Sequence, residues 1–288
     1  MVAKIAAPVH DMMATLNSVL AERKRYLPFY EAIKDDLIAQ FLSYEENNGN
    51  PEVISPLTIR DYTRTDDEAV KRKKSLINLY FPKVDTHPFD ILSDMRRKHG
   101  LLFCPSCGED GAPDTLDHYL PKEYFPELSI CLLNLTPMCS RCQGEKSSDF
   151  LTDNNERMFL HPYYDEIRQC FFNIDIRPPF RSPSAFIVNL NAEMELGIRS
   201  VVERHIQGVA FKERLEEFCE IKHLHLLKIM ADEREDEDPF PAARLIRKFL
   251  RQEQKKAVNA WAAIYYQSVL DTPELLDYLD NGELPDYL

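Results

Sequence analysis

The chain has 288 residues, 44% hydrophobic and 29% charged, with 8 glycines and 19 prolines, which excludes fibrous or low-complexity architecture and leaves room for two or three compact units. No apolar stretch approaches the roughly 20 residues of a membrane span, and Met1-Val2-Ala3-Lys4-Ile5 lacks the apolar core of a secretory signal; the expectation is a cytoplasmic protein with no membrane partner. A formal net charge of −13 argues against a free-standing, tight DNA binder, because Lys and Arg contacts to phosphate dominate such affinity. It still allows a small cleft that engages phosphate while a partner delivers the substrate.

Along the chain, the first segment has helical periodicity. Leu16, Val19 and Leu20, then Phe29, Ile33, Leu37 and Phe41, recur at three- and four-residue steps and so share a helix face. Asn47-Asn48-Gly49-Asn50-Pro51 breaks it. Thr65-Asp66-Asp67-Glu68 has the composition of a capped helix start, and that helix is expected to end near Phe81-Pro82. A shorter helix is predicted from Pro88 to Lys98, stopped by Gly100. From Leu101 to Asp165 the periodicity disappears and turn residues multiply. Phe171–Arg177 and Ala185–Leu190 then alternate apolar and polar residues, as strands do. One helix is expected from about Ile198 to Met230, and one amphipathic helix from Pro241 to Leu270. The acidic run Asp232–Asp238 and the segment from Pro273 to Leu288 are expected to be solvated, or else to dock a partner.

Seven cysteines are present. Four are paired as Cys104-Pro105-Ser106-Cys107 and Cys139-Ser140-Arg141-Cys142; Cys131, Cys170 and Cys219 are scattered. Each CxxC turn presents two sulfurs to one ion, so two turns complete the four-thiolate tetrahedral shell that Zn²⁺ favours. Such a shell leaves no open position, and the ion is expected to be structural. A redox dithiol would leave the second CxxC without a purpose. His223 and His225, two residues apart on a helix, face different directions and are not expected to share a metal.

Inside this frame lie Leu116-Asp117-His118-Tyr119-Leu120-Pro121 and Asn134-Leu135, and Cys142 runs into Gln143-Gly144-Glu145-Lys146. This arrangement resembles the HNH (ββα-metal) nucleases. Their zinc-bearing members combine a CxxC, a central Asp-His, an Asn-Leu and a second CxxC leading into Asn/His-x-x-Lys. The resemblance covers about Arg96 to Asp165. It implies that His118 is the general base that takes a proton from water attacking phosphorus. Asp117 supplies the hard oxygen that Mg²⁺ or Mn²⁺ requires, and Asn134 orients His118 by hydrogen bonding. Lys146 contacts a phosphate as a point charge. Gln143 stands where the family has Asn or His; it keeps the carbonyl donor on a longer stem, and His161 in Phe159-Leu160-His161-Pro162 is the substitute ligand to consider. Neighbouring side chains on a strand point to opposite sides, so Asp117 and His118 share a site only if the strand is distorted or edges a groove.

The expected fold class is α+β: a helical N-terminal region (1–95), a ββα-metal module on a zinc knuckle (96–170) and a mainly helical C-terminal region with a few strands (171–288). The first strand is expected between about Thr115 and Leu120, and the module's helix from Cys139 or Ser140. The resemblance further implies DNA hydrolysis, by likeness to bacterial HNH proteins that act beside an ATPase in anti-phage defence, such as the Septu-type and retron-associated systems. Two other classes remain: a zinc-ribbon scaffold with a decayed site, and a toxin that cuts RNA.

Overall fold

The computed structural model describes residues 3–181, 185–194 and 196–286. It is an α+β structure with two small antiparallel sheets. The chain divides into two compact units rather than three successive segments. One takes in Lys4–Pro105 and Ala112–Asp165, so the N-terminal helices and the central hairpin share a unit; the other takes in Ser106–Gly111 and Glu166–Leu288. No helix among the described residues is long and apolar enough to cross a membrane.

In the first unit, α1 (Met12–Ala21) starts at Asp11, whose carboxylate accepts from the Ala14 N–H at 2.8 Å. Helix α2 (Leu27–Glu46) buries Phe29, Ile33, Leu37, Phe41 and Tyr44, the stripe expected from the three- and four-residue steps. Helix α3 (Asp66–Ile77) is capped by the Thr65 hydroxyl, which accepts from the Glu68 N–H, and carries three acids in its first turn, where the helix dipole favours them. It ends earlier than expected, in a tight 3-10 turn at Asn78–Tyr80. Helix α4 (Phe89–Arg97) follows, and Gly100 takes a left-handed φ of +67° just beyond it, a conformation glycine adopts without steric cost.

Strands β1 (Thr115–His118) and β2 (Leu135–Met138) pair antiparallel, with Asp117 opposite Thr136 and His118 opposite Leu135. Helix α5 (Ser140–Lys146) leaves directly from the second strand. Leu92 and Met95 of α4 pack with Leu116, Leu132 and Leu135 into one apolar cluster, flanked by Tyr80 and Ile91. That cluster supports the hairpin from behind.

In the second unit, the two expected strands form as β3 (Phe172–Ile176) and β4 (Phe186–Leu190), and they pair antiparallel. The predicted helix over 198–230 is two helices, α6 (Leu196–Gly208) and α7 (Phe211–Glu233), separated where Ala210 takes a left-handed φ of +47°. The predicted helix over 241–270 is also two, α8 (Ala242–Glu253) and α9 (Trp261–Leu270). Buried Asn259 occupies the break: its Oδ1 accepts from the Phe171 N–H at 2.7 Å and its amide donates to the Gln169 carbonyl at 2.9 Å. Helix α9 is apolar nearly all round, as a central helix must be. The acidic C-terminal segment is not a solvated tail over its helical part. Helix α10 (Pro273–Asn281) buries Leu275 and Leu279, and the Arg234 guanidinium donates to the carbonyls of Tyr278, Leu279 and Gly282. The Asp280 carboxylate accepts from the Ala242 N–H at the start of α8.

Candidate active site and four-cysteine centre

A cleft of about 640 Å³, lined by polar and apolar side chains alike, opens at the β1–β2 hairpin, and Asp117, His118 and Gln143 all line it. Tyr80, Arg96, Asp114, Pro121 and Lys122 complete much of the wall. Asp117 and His118 are adjacent on β1 and still reach one cleft, because this sheet has two strands and β1 runs along its edge.

His118 is 5% exposed, and its Nε2 lies 2.9 Å from the Ser129 carbonyl oxygen. A carbonyl only accepts, so Nε2 carries the hydrogen and Nδ1 holds the free lone pair, an assignment made from the hydrogen-bond geometry. Burial pushes the imidazole pKa down to about 3, against the upward pull of the Ser129 bond. The ring is therefore neutral and basic in form throughout the physiological range. Tyr80 packs edge-on against it, with ring centroids 4.5 Å apart, and the Tyr80 hydroxyl is fixed by donating to the Leu116 carbonyl at 2.6 Å. Ser129 is anchored in turn, its hydroxyl donating to the Leu76 carbonyl at the end of α3.

Asn134 does not touch the imidazole, which corrects the expectation that it orients His118 directly. It is fully buried; Oδ1 accepts from the Leu120 N–H at 2.7 Å, and Nδ2 donates to the carbonyls of Leu120 and Leu128. It closes the loop between the strands, and so holds the turn that delivers the Ser129 carbonyl. Lys146 is corrected as well. Its side chain is 1% exposed, Nζ donates to the His118 carbonyl at 2.9 Å and sits 3.1 Å from Asp117 Oδ2; a buried ammonium paired this way does not meet an external phosphate. His161 lies outside the cleft. It is fully buried, bonded to the Tyr44 hydroxyl at 2.8 Å and to the Tyr163 N–H, among the rings of Tyr119, Tyr163 and Tyr164. It is a packing histidine and offers no ligand to the cleft.

Asp117 and Gln143 do meet, with the Gln143 Nε2 3.4 Å from Asp117 Oδ1. The buried Oδ2 of Asp117 has no hydrogen-bond partner; Lys146 faces it by charge without hydrogen-bond geometry. Oδ2 is buried against Lys146, so the hard oxygens left on these two residues are Asp117 Oδ1 and the Gln143 amide carbonyl, the donor type a divalent cation such as Mg²⁺ takes. Among the described residues no cluster of three or more His, Cys, Asp or Glu side chains comes together here.

Such a cluster does form at the four paired cysteines, whose sulfurs all lie within 4.8 Å of one another. Tetrahedral zinc with bonds of about 2.3 Å sets its sulfurs about 3.8 Å apart, so the four thiolates fit one ion. Donors surround them: the Cys139 N–H points to Cys104 Sγ and the Cys142 N–H to Cys139 Sγ, each at 3.4 Å. Cys107 is held by two side chains of its own compact unit. Buried Arg214 places Nη2 3.6 Å from Cys107 Sγ while pairing with Glu109, and the Trp261 indole N–H donates to the Cys107 carbonyl at 2.5 Å.

Sequence reasoning missed Tyr80, Arg96, Ser129, Arg214 and Trp261. Tyr80 lies outside the motif, Arg96 stands at its N-terminal boundary, Ser129 acts through a backbone atom that leaves no trace in residue type, and the last two are more than 70 residues downstream of the cysteines they serve. The dense basic run after Val70 was an available signal for Arg96 and its surroundings.

No family profile matches the chain, and no solved structure matches it. It is similar to protein ea31 of Escherichia phage lambda, at 41% identity over 64 residues. The match covers 22% of this chain and 21% of the phage protein, so it spans about a fifth of either.

Proposed function

We propose that the chain is a metal-dependent nuclease of the HNH type that hydrolyses DNA phosphodiester bonds. The observation that carries this reading is the pose of His118: its Nε2–H is fixed on the Ser129 carbonyl, its Nδ1 is free, and it shares a cleft with Asp117 and Gln143. A neutral imidazole held in one tautomer is the arrangement a general base requires. His118 Nδ1 accepts the proton of the attacking water. The low basicity imposed by burial rises once an anionic phosphate enters the cleft, because a nearby negative charge favours the protonated ring. Tyr80 and Ser129 keep the ring from turning, and Lys146 holds the backbone carbonyl of His118 while balancing Asp117. Asp117 and Gln143 are the residues that would hold a divalent cation, which supplies Lewis-acid stabilisation of charge on the leaving oxygen. The four cysteines would hold zinc as a structural ion with no open position.

The test is nicking of supercoiled plasmid with Mg²⁺ and, separately, Mn²⁺, comparing the full chain with His118→Ala. The expected loss is about 10²–10⁴-fold in a variant of unchanged zinc content. Equal cleavage by both proteins would remove His118 from the chemistry. A second reading, a zinc-stabilised scaffold without catalysis, is favoured by one feature, the Lys146 ammonium already standing beside Asp117. It predicts full zinc occupancy and no cleavage with either metal.

A further inference from the structure

The protein is strongly acidic, yet residues 71–98 carry eight Lys and Arg against three Asp. This basic segment runs from the second half of α3, through the 3-10 turn, to the end of α4. Three of its residues line the wall of the cleft, Tyr80, Phe81 and Arg96. Phe81 is 63% exposed at the cleft mouth, whereas the neighbouring Leu76 and Leu79 are buried. Its ring meets Tyr80 edge-on at 5.2 Å, and Tyr80 meets His118 at 4.5 Å, so the exposed ring is two ring contacts from the base. Arg96 donates to the Tyr80 hydroxyl at 3.2 Å and has no acidic partner among the described residues. The carboxylates of the wall, by contrast, are engaged: Asp114 accepts from the Ser140 N–H, Glu123 pairs with Lys122, and Asp117 faces Lys146.

A guanidinium with no acidic partner, beside an exposed aromatic face, is the combination that grips single strands. The cation tracks the phosphate, and the ring takes the flat face of a base, which any base offers. In a continuous duplex that face is covered by the neighbouring base pair. We propose that Phe81 and Arg96 form a subsite for an unstacked nucleotide next to the scissile phosphate, so that the cleft takes nucleic acid that is single-stranded at the cut. This rests on the nuclease reading and names its substrate class. Phe81 supplies the stacking surface, Arg96 the phosphate contact, and the exposed lysines of the segment supply attraction that salt weakens.

The experiment uses the full, zinc-loaded chain carrying His118→Ala to prevent cutting. A labelled 20-nucleotide DNA single strand and the same sequence as a blunt duplex are titrated by fluorescence anisotropy. Phe81→Ala, Phe81→Leu and Phe81→Trp are then compared in that background; circular dichroism and zinc content check the fold of each. Tighter binding of the single strand is expected, weakened roughly 5- to 100-fold by Ala and by Leu, retained by Trp, with duplex affinity unchanged. Equal affinity for both forms, or a Phe81→Ala variant that binds the strand like its parent, overturns the proposal. If the active chain cuts duplex in a His118-dependent manner regardless of Phe81, the nuclease reading stands and this one falls. If neither form is bound or cut, both fall together.

Discussion

Burial decides what each histidine contributes. His118, His161 and His223 all sit inside the protein, and burial lowers the pKa of each below the ordinary imidazole value. A histidine whose folded pKa is lowered binds its proton less readily than the unfolded chain does. Its share of stability is therefore complete above about pH 6.5 and is lost as pH falls toward the folded value. His161 isolates the effect, because it does not line the cleft and is not one of the four clustered cysteines' hydrogen-bond partners. His161→Phe is expected to be less stable than the parent at pH 7, where the bonds to Tyr44 and Tyr163 are lost. The gap should narrow at pH 5, since only the parent keeps a ring that the unfolded chain protonates. Urea midpoints at the two pH values measure this, and a gap that does not narrow would refute the account. Two features were legible from residue type: the four cysteines that gather into one cluster, and the neighbouring Asp117 and His118 that line one cleft. Lys146 was misjudged because a lysine in a motif carries no mark of being buried, and burial turned a phosphate contact into an internal strut.

Between the strands, the loop depends on one side chain. Asn134 joins Leu120 and Leu128 with three hydrogen bonds and thereby fixes the segment that offers Ser129 to His118. Asn134→Ala leaves buried backbone groups unsatisfied and is expected to cost about 2–4 kcal/mol, read from urea unfolding. If the proposed chemistry holds, it should lower kcat more than it raises KM, because the base loses its fixed orientation. A variant as stable as the parent would show that the loop has other anchors. Elements with local signals were legible: the Thr65 cap, the stop at Gly100, and the alternation of β3 and β4. The breaks at Ala210 and Asn259 were not, since helical periodicity continues across both. The need for an asparagine amide at 259 comes from Phe171 and Gln169, about 90 residues away. The burial of α10 likewise depends on Arg234, which lies in the run that composition alone marked as solvent-exposed.

Across the whole molecule, the four-cysteine centre gathers two segments more than 30 residues apart, and four thiolates concentrate negative charge in an already acidic protein. The Arg214 guanidinium against Cys107 offsets part of that charge. Partners of this kind are worth about 10- to 100-fold in metal affinity. Arg214→Met is expected to release zinc to a chromogenic chelator at least tenfold faster than the parent, with Arg214→Lys in between; unchanged release would confine Arg214 to pairing with Glu109. The chain holds one tryptophan, Trp261, and its indole N–H is bonded to the carbonyl of a cysteine in that centre. Indole emission responds to the field at its nitrogen, so ultraviolet fluorescence at this ring becomes an unlabelled gauge of metal loading, readable in the intact protein during chelation, reconstitution or substrate addition.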